Sequence, residues 1–504
     1  MRRRASRLDL PTSGGVAVDR LSHRWNDQSL GARSIATALL IVLTACGPTG
    51  RELERHYSTE ARENRDGMAI DRSGTCGRKS PSLLTCDERL WAEAAWKYVE
   101  LNTIDATGIV NSTEKRPVVT MWDVADEIAA TYAARELGLI DTCAFDARFG
   151  RIVAFLNSMP LVDDLAPNRW YDATNAAMVG ADGKPAVVGW SAVDLGRLLL
   201  WLRIVEARHP FWSEYIGRAV ARWNYCAIVD ACGTLNRGIH KGPNANDVEQ
   251  EGRLGYEEYA AAGFDLWGFN VDQAAEIEPS EPVTVDGVLL RHDARDLTGP
   301  ITTTPFAAYE MELGERGAAD YRALGRDVAR TQYEHFRVTR SMTARGQRPL
   351  ATPPWLVYDS VWSNGYSWNT VDGNGKLASW AGLLSTPAVF ELWAAYPDEN
   401  ADRMLEFTCS MRDDQRGWFA GRVAKSGGVD RTLALRTNAA VLESILYRKF
   451  GAIYRPSTEP GWFDVNIRDE FFRPGRCLPA EKRSCGEECP PLRQPLPERS
   501  AAKP

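Results

Sequence analysis

Apolar residues recur at helical spacing through most of the middle of the chain. The first amphipathic run begins near Leu90, just behind a helix-capping Asp87, and it predicts a helix. The same spacing predicts further helices over residues 122–137, 146–157, 191–207, 211–228, 255–267, 313–337, 380–395, 398–412 and 436–450. Residues 270–306 lack a helical period and are rich in Pro, Val and Thr, which indicates a mostly irregular excursion with short strands. The pattern therefore predicts an all-α fold.

The links between the predicted helices alternate in character. Short, plain links alternate with long links that are rich in aromatic, Asn, Asp and Gly residues. The rich links lie at residues 107–112, 168–172, 246–255, 355–372 and 416–419. In a chain of antiparallel helix hairpins every second link falls at the same end. We therefore expect an (α/α)6-type helical toroid with the rich links around one face.

The N-terminal part of the chain has a different composition. Residues 35–45 form a short apolar run that follows Arg24 and Arg33, which is the length of a signal-peptide core and too short to span a bilayer as a helix. Cys46 follows small residues, and this segment resembles the bacterial lipobox, in which the cysteine receives a lipid. A buried helix that ends in a free thiol is the alternative, but no amphipathic partner pattern surrounds it.

These features predict four segments. Residues 1–45 are predicted to be a lipoprotein signal peptide, residues 46–84 a flexible tether, residues 85–455 the helical domain, and residues 456–504 a Pro- and Arg-rich tail that is partly disordered. Gly47, rather than Asp, follows the lipidated cysteine, so retention at the inner membrane is not indicated. We expect a lipid-anchored protein of the bacterial cell envelope, at the outer membrane or the periplasmic face.

The nine cysteines other than Cys46 are consistent with an oxidising compartment. Spacing allows Cys76 to pair with Cys86 and Cys226 with Cys232, each closing a short loop. A C-terminal group has no histidine nearby, so a disulfide and a leftover thiol are favoured over a metal site there. This group comprises Cys477, Cys485 and Cys489.

Charge and motif content exclude several functions. The formal charge of −7 comes from 60 basic and 67 acidic residues without a basic stripe, which does not favour nucleic-acid binding. The six histidines have no paired ligand spacing, and neither a phosphate-binding loop nor a nucleophile elbow is present. We expect no metal, no cofactor and a monomeric protein.

Aromatic residues in the rich links suggest a carbohydrate ligand. Aromatic faces stack on the C–H surfaces of sugars, while carboxylates and amides bind hydroxyl groups. The alternative is that these rings anchor the links in the core. The aromatic set consists of Trp170, Tyr171, Trp355, Tyr358, Trp362, Tyr366, Trp368 and Trp418.

Glycoside hydrolysis requires two carboxyl groups across the scissile bond. Candidates in or near the rich links are Asp123, Asp172, Asp194, Glu249, Glu251, Glu257 and Glu258. The four glutamates stand within ten residues at a helix start, where like-charge repulsion raises a pKa as a general acid requires. The ordinary alternative is that acids favour the first turn of a helix because of its dipole. We predict Glu258 as the general acid and Asp123 or Asp194 as its partner.

Several segments together resemble a known family. They are TMWDVADEIAATYAARELGLID, NRWYDATN, GWSAVDLGRLLLWLR and QEGRLGYEEYAAAGFDLWGF. Over nearly all of residues 86–455 they are similar to the bacterial family called domain of unknown function 3131 (DUF3131). More distantly, the order of blocks resembles the transglycosylase region of cyclic β-1,2-glucan synthases and the related β-1,2-glucanases, which are (α/α) toroid enzymes.

The more distant resemblance implies site residues by position. Its blocks have counterparts at Thr120, at residues 169–174 and 193–196, and at residues 258–264, where Glu258 matches a catalytic glutamate. A second catalytic glutamate of those enzymes lacks its spacing here, because seven residues separate Gly382 from Phe390-Glu391. The expected substrate-binding residues are Trp122, Trp170, Tyr171, Asp172, Trp190, Glu251, Arg253, Tyr256, Glu257, Trp368, Asn369 and Trp418.

Two functions follow as expectations. The first is an envelope lipoprotein whose domain resembles a glycoside hydrolase or transglycosylase and acts on a glucan or related polysaccharide. With Asp123 or Asp194 activating water, such an enzyme would be inverting. The second is a non-catalytic lipoprotein that binds a glycan or assists envelope assembly, in which the aromatic rim holds sugar but the second carboxylate is missing.

Overall fold

The computed structural model describes residues 84–296, 298–467 and 475–479, together with residues 481, 483 and 485. The predicted signal peptide, the predicted lipidation residue Cys46 and the predicted tether up to residue 83 lie outside these residues, as do residues 486–504 of the predicted tail. Among the described residues no helix is long and apolar enough to cross a membrane.

Helices form the largest share of the described chain, and six of them form a closed ring. The helices are α1 (Cys86–Asn102), α2 (Met121–Glu136), α3 (Thr142–Ser158), α4 (Ala192–Arg208), α5 (Ser213–Ala221), α6 (Tyr256–Asp265), α7 (Asp272–Ala275), α8 (Thr303–Leu313), α9 (Ala319–Thr339), α10 (Thr386–Ala395), α11 (Glu399–Thr408), α12 (Leu435–Phe450) and α13 (Trp462–Asn466). Six of these described helices, the even-numbered α2 to α12, pack side by side in the ring, and the odd-numbered α1 to α11 pack around it. The predicted toroid is confirmed.

The prediction that the fold is all-α is wrong, because short antiparallel strands fill the links. They are β1 (Val118–Val119), β2 (Leu161–Val162), β3 (Ala166–Pro167), β4 (Trp170–Asp172), β5 (Met178–Val179), β6 (Asn236–Gly242), β7 (Ala245–Gln250), β8 (Ser280–Val285), β9 (Val288–Asp293), β10 (Gln347–Pro349), β11 (Leu356–Asp359), β12 (Trp362–Ser363), β13 (Tyr366–Ser367), β14 (Thr370–Asp372), β15 (Leu383–Ser385), β16 (Arg412–Asp413), β17 (Gly417–Val423) and β18 (Val429–Leu433). Buried backbone N–H and C=O groups need hydrogen-bond partners, and the long links provide these partners by pairing as strands.

The strands form small sheets rather than one layer. The sequential pairs β2–β3, β6–β7, β8–β9 and β12–β13 are hairpins, whereas β4 lies between β1 and β5, and β11 lies between β10 and β14. Strand β17 pairs with β15, β16 and β18. The excursion predicted as mostly irregular, residues 270–306, contains the hairpin β8–β9 with Ser280 opposite Asp293.

One inner helix, α8, is absent from the sequence-based predictions. Every residue of Thr303–Leu313 is buried, so this helix has no polar face to give a helical period. Pro305 lies in its first turn, where a missing N–H costs no helical hydrogen bond. The helix predicted from residue 380 begins instead at Thr386, because Leu383–Ser385 pairs with β17 as a strand.

The predicted tail contributes to the folded domain. Helix α13 packs against α5 and buries Phe463 completely. Disulfides join Cys226 to Cys477 and Cys232 to Cys485, so both predicted short loops are wrong, and Cys86 is a free thiol. Cys477 and Cys485 therefore tie part of the predicted tail to the segment that follows α5.

The interior of the ring contains a buried polar network to which every inner helix contributes. Its members are Asp126 on α2, Arg197 on α4, Tyr259 on α6, Glu312 on α8, Glu391 on α10, and Arg436 and Glu443 on α12. Arg197 lies 2.8 Å from both Asp126 and Glu312 and 3.3 Å from Glu443. Arg436 pairs with Glu391 and, at 3.2 Å, with Asp126. Buried charges of opposite sign thus link the six helices.

Candidate active site

A cavity of about 700 Å³ opens at the end of the ring where the inner helices begin. The links 107–112, 168–172, 246–255 and 355–372 all contribute lining residues, which confirms that these four share one face. Residues 296 and 298–300 of the predicted excursion add a further part of the wall. The link 416–419 pairs with other links at this end, since β17 pairs with β15 and Arg416 with Glu114, but it contributes no lining residue among those described, because Trp418 is fully buried and donates from Nε1 to the Trp91 carbonyl at 3.0 Å.

Asp123 lies at the start of α2 and lines the cavity. Its Oδ2 accepts from the backbone N–H of Thr120 at 2.9 Å, and its Oδ1 accepts from Ser112 Oγ at 2.9 Å. Burial raises the pKa of this carboxyl to about 6, while these hydrogen bonds oppose the rise. Asp123 is therefore an oriented carboxylate that is ionised at neutral pH.

Asp194 occupies the corresponding position in α4 and also lines the cavity. Its backbone N–H donates to Ser191 Oγ at 3.2 Å, but in the described structure its carboxyl does not bond back to the N-cap N–H as Asp123 does. Burial and the negative charges of Glu251 and Asp123 raise the pKa of Asp194 to about 8. This carboxyl faces the cavity and carries a proton at neutral pH.

Glu258, predicted as the general acid, has a different environment. It is 5% exposed and is not among the described residues that line the cavity. Its Oε2 accepts from the Gly255 N–H at 2.6 Å, which closes a capping box at the start of α6. Burial and the neighbouring Glu257 raise its pKa well above the usual range. The raised pKa of Glu258 reflects burial under the helix cap rather than contact with the cavity.

Glu251 lines the cavity beside Asp194 and belongs to an ion pair. Its Oε1 lies 2.8 Å from Arg169 Nη2, and its Oε2 accepts from the backbone N–H of Val193 at 3.3 Å. Glu251 is thus tied both to a cavity-wall arginine and to the first turn of α4. Its charge raises the pKa of Asp194.

Aromatic rings and Arg253 complete the predicted part of the wall. The lining aromatic residues are Trp122, Trp170, Tyr256, Trp355 and Tyr358. The rings of Trp122 and Tyr256 lie 6.0 Å apart, and those of Tyr256 and Tyr358 lie 5.6 Å apart. Trp355 has a φ of +70°, a strained conformation for a bulky residue. Such a wall can stack on sugar rings.

Other predicted binding residues do not reach the cavity. Tyr171, Trp190 and Trp418 are fully buried core residues. The ring of Trp190 lies against Gly238, where a Cβ would stand only 2.4 Å from the ring. The ring of Trp190 is therefore held by close packing against β6.

Four polar or aromatic residues of the predicted set have partners elsewhere. Asp172 accepts from Thr174, and Glu257 pairs with Arg295. Trp368 donates from Nε1 to Asp286 at 3.1 Å, and Asn369 donates to the Ser363 carbonyl at 3.1 Å. Glu391, whose spacing differs from that of the second catalytic glutamate in the resembling enzymes, is fully buried in the ring network. The structure brings together Asp123, Asp194, Glu251, Arg253 and five of the predicted aromatic rings, but not these residues.

Sequence reasoning missed the arginines of the wall. Arg116, Arg169, Arg237 and Arg436 line the cavity in addition to the predicted Arg253. Arg436 carried a usable signal, because a cation in the first turn of a helix opposes the helix dipole and needs a specific partner. Arg116 stands in an irregular segment without such a signal. Among the described residues, no cluster of His, Cys, Asp and Glu suits a metal ion.

Comparisons with known proteins agree with this architecture. The sequence profile of a family described as "Protein of unknown function (DUF3131)" matches residues 90–451. A search of curated protein sequences gives no significant match.

Solved structures share the fold at low sequence identity. A candidate glucoamylase from Bacteroides caccae matches with a TM-score of 0.53 and 13% identity, covering 73% of this chain and 95% of that one. An endo-β-1,2-glucanase from Chitinophaga pinensis, solved with sophorotriose and glucose, gives 0.52 and 11%, covering 73% and 93%. A β-1,2-glucanase from Parabacteroides distasonis gives 0.51 and 11%, covering 74% and 58%. These similarities establish a common fold.

Proposed function

The chain belongs to the DUF3131 family of proteins of unknown function, and we propose that its cavity is the active site of a glycoside hydrolase or transglycosylase acting on a glucan or related polysaccharide. The observation that carries the proposal is the pair of carboxyls at the starts of α2 and α4. They line one aromatic-walled cavity, and their pKa values are about 6 for Asp123 and about 8 for Asp194. Glycosidases need one protonated and one ionised carboxyl in this way.

Asp194 is the general acid in this proposal. Its proton passes to the glycosidic oxygen as the bond between that oxygen and the anomeric carbon breaks, so the leaving sugar departs as a neutral alcohol. Glu251 is a positioning residue, because its charge keeps the Asp194 proton in place and its hydrogen bond to Val193 fixes the helix start.

Asp123 is the ionised partner. Hydrogen bonds from Ser112 and Thr120 hold its two oxygens in place at the first turn of α2. It accepts a proton from the water or acceptor hydroxyl that attacks the anomeric carbon. Hydrolysis and transfer to a second sugar differ only in which hydroxyl attacks.

The test uses purified full-length protein and a panel of β-1,2-, β-1,3-, β-1,4-, β-1,6- and α-1,4-linked glucans, with released oligosaccharides measured by chromatography. We expect product from the wild type and about 100-fold to 10,000-fold less from Asp194→Asn and Asp123→Asn, the usual contribution of general acid–base catalysis. Glu258→Gln is the matched control, because it changes an acid at the same helical position outside the cavity.

The outcomes separate the candidate functions. Equal product from Asp194→Asn and the wild type contradicts the assignment of Asp194. Binding of a glucan by the wild type without any product from the panel contradicts catalysis and favours the non-catalytic glycan-binding or envelope-assembly lipoprotein.

The cellular placement is a separate proposal that rests on sequence. We propose that Cys46 is lipidated after removal of residues 1–45 and anchors the protein in the bacterial envelope, with the outer membrane or periplasmic face favoured by Gly47. Metabolic labelling with an alkyne fatty acid should mark the wild type and not Cys46→Ser. Equal labelling of both proteins would refute the anchor.

A further inference from the structure

The arginines of the cavity wall differ in how their charge is compensated. Four of the wall guanidinium groups have an ion-pair partner in the described structure. Arg169 pairs with Glu251 at 2.8 Å, Arg237 with Glu249 at 2.7 Å, Arg253 with Asp296 at 3.6 Å, and Arg436 with Asp126 at 3.2 Å. Arg116 has no ion-pair partner among the described residues, although it lines the same cavity.

The Arg116 guanidinium is held in place by uncharged groups. It lies over the ring of Trp355 at 4.4 Å from the ring centroid, and it donates from Nη2 to the Ala181 carbonyl. Burial lowers its pKa, while Asp123 and Asp182 attract it without lying within ion-pairing distance. The group is therefore partly desolvated, rigidly oriented and left with donors that no carboxylate takes.

The position of Trp355 adds to this arrangement. Its left-handed backbone conformation is costly for a tryptophan and persists only where the surroundings impose it. Both Trp355 and Arg116 line the cavity, so a sugar in contact with one lies close to the other. Cation–π stacking leaves the planar N–H edge of the guanidinium available to a ligand.

We propose that Arg116 binds an anionic group of the substrate, so that this cavity binds an acidic polysaccharide more tightly than its neutral counterpart. The inference rests on the proposed function in taking the ligand to be a glycan. Arginine binds carboxylates and acidic esters through parallel hydrogen bonds from its planar group. A neutral sugar would leave the partly desolvated guanidinium without a carboxylate or ester in direct contact, which disfavours binding of a neutral sugar relative to an acidic one. A uronate carboxylate and a sulfate ester share this chemistry.

The test measures binding rather than turnover. Full-length protein is titrated calorimetrically with oligogalacturonate and oligomannuronate, each beside its carboxyl-reduced neutral counterpart, and with a sulfated cellulose oligosaccharide beside cellulose oligosaccharide. We expect at least tenfold tighter binding of one acidic probe than of its neutral counterpart, and loss of that preference in Arg116→Gln. The probe that shows the preference distinguishes a carboxylate from a sulfate ester.

Arg148→Gln is the matched control. Arg148 also lies over a tryptophan, at 4.9 Å from the Trp96 ring centroid, and burial lowers its pKa too, but it does not line the cavity. The acidic preference should survive in this variant. Equal binding of acidic and neutral probes, a preference that persists in Arg116→Gln, or no binding of any acidic probe would each overturn the inference.

Failure of this inference and failure of the proposed function give different results. Cleavage of neutral glucans without binding of acidic probes leaves the glycosidase proposal intact and removes the anion site. Binding of an acidic probe through Arg116, with no cleavage of any saccharide, leaves the anion site intact and removes the glycosidase.

Discussion

On α2, Asp123 lines the cavity and Asp126, one turn further along the helix, is fully buried inside the ring. On α4 the same step leads from Asp194 at the cavity to Arg197 in the ring. Two adjacent layers of the inner helices therefore carry the same kinds of charged residue. In the ring layer they face each other across the six helices, and in the cavity layer they face open space.

Compensation of charge distinguishes the two layers. In the ring, Arg197 and Arg436 stand among four carboxyl groups and pair with all of them. At the cavity, Asp194 has no arginine within ion-pairing distance in the described structure and feels the like charges of Glu251 and Asp123. The paired charges in the ring hold the helices together, whereas Asp194 at the cavity retains a proton that it can donate to a substrate. The two layers should respond oppositely to mutation.

The largest effect on stability is expected in the ring layer. Arg197→Met leaves the carboxyls of Glu312 and Glu443 buried without their counter-charge and leaves Asp126 with Arg436 alone, which typically costs about 3–5 kcal/mol. The exposed pair of Arg218 with Glu214 supplies the control, since its loss costs about 1 kcal/mol or less. Urea denaturation measures both. A loss in Arg197→Met no larger than in Arg218→Met would contradict the assigned role of the ring network.

The cavity layer should control the pH dependence of turnover. Asp123 must be ionised and Asp194 protonated, so kcat/KM should fall below a pH of about 6 and above a pH of about 8. Steady-state kinetics with the cleaved glucan between pH 4 and 10 would measure this profile.

Glu127 is a suitable control for that profile. It is another acid of α2 with a pKa raised to about 8 by burial, but it accepts from the Val110 N–H and does not line the cavity. Glu127→Gln should therefore keep both limbs of the curve. A shift of the alkaline limb in this variant would argue that the limb does not come from Asp194.

The helical ring could largely be predicted from sequence, because five of the six described inner helices show period or cap signals. Thr120 and Ser191 are N-cap residues that indicate the starts of α2 and α4. Helix α8 escaped prediction because burial on all sides removes the period. Most strands of the links escaped because they are two to four residues long, and several, such as β1 with β4 and β15 with β17, pair with a strand of another link that only the folded ring brings close.

The site was predicted less completely, since local sequence does not show where a side chain points. Asp123, Asp194 and Glu258 all lie at the third position of an inner helix. The Glu258 carboxyl accepts a hydrogen bond from the N-cap N–H of its own helix, and the Asp194 carboxyl does not. The spacing of residues along the sequence does not reveal this difference. Likewise, Trp170 lines the cavity and Trp190 lies in the core, although both stand in polar, aromatic links.

A second effect on stability should appear in its pH dependence. The folded-state pKa of Asp194 is raised from 3.8 to about 8, so the folded protein holds this proton more tightly than the unfolded chain. The contribution of Asp194 to stability is fully present below pH 3.8 and is lost as the pH rises towards 8, by up to about 1.4 kcal/mol per pH unit. Asp194→Asn removes this dependence.

Urea denaturation at pH 5 and pH 8 would test that expectation. Asp194→Asn should gain stability relative to the wild type as the pH increases, even though it loses activity. A constant difference between the two proteins across this range would show that Asp194 does not retain its proton in the folded state.

The smallest effect is expected for Glu258→Gln. Burial raises the pKa of Glu258 and so favours its neutral form, which glutamine matches in charge, and the glutamine side-chain oxygen can still accept from the Gly255 N–H. A weakened helix cap costs about 1 kcal/mol at most, and glucan cleavage should remain within about twofold of the wild type. Activity and urea denaturation measured on the same preparation separate the two effects. A loss of cleavage as large as that of Asp194→Asn, at unchanged stability, would instead make Glu258 the general acid and place the chemistry beneath the cap of α6.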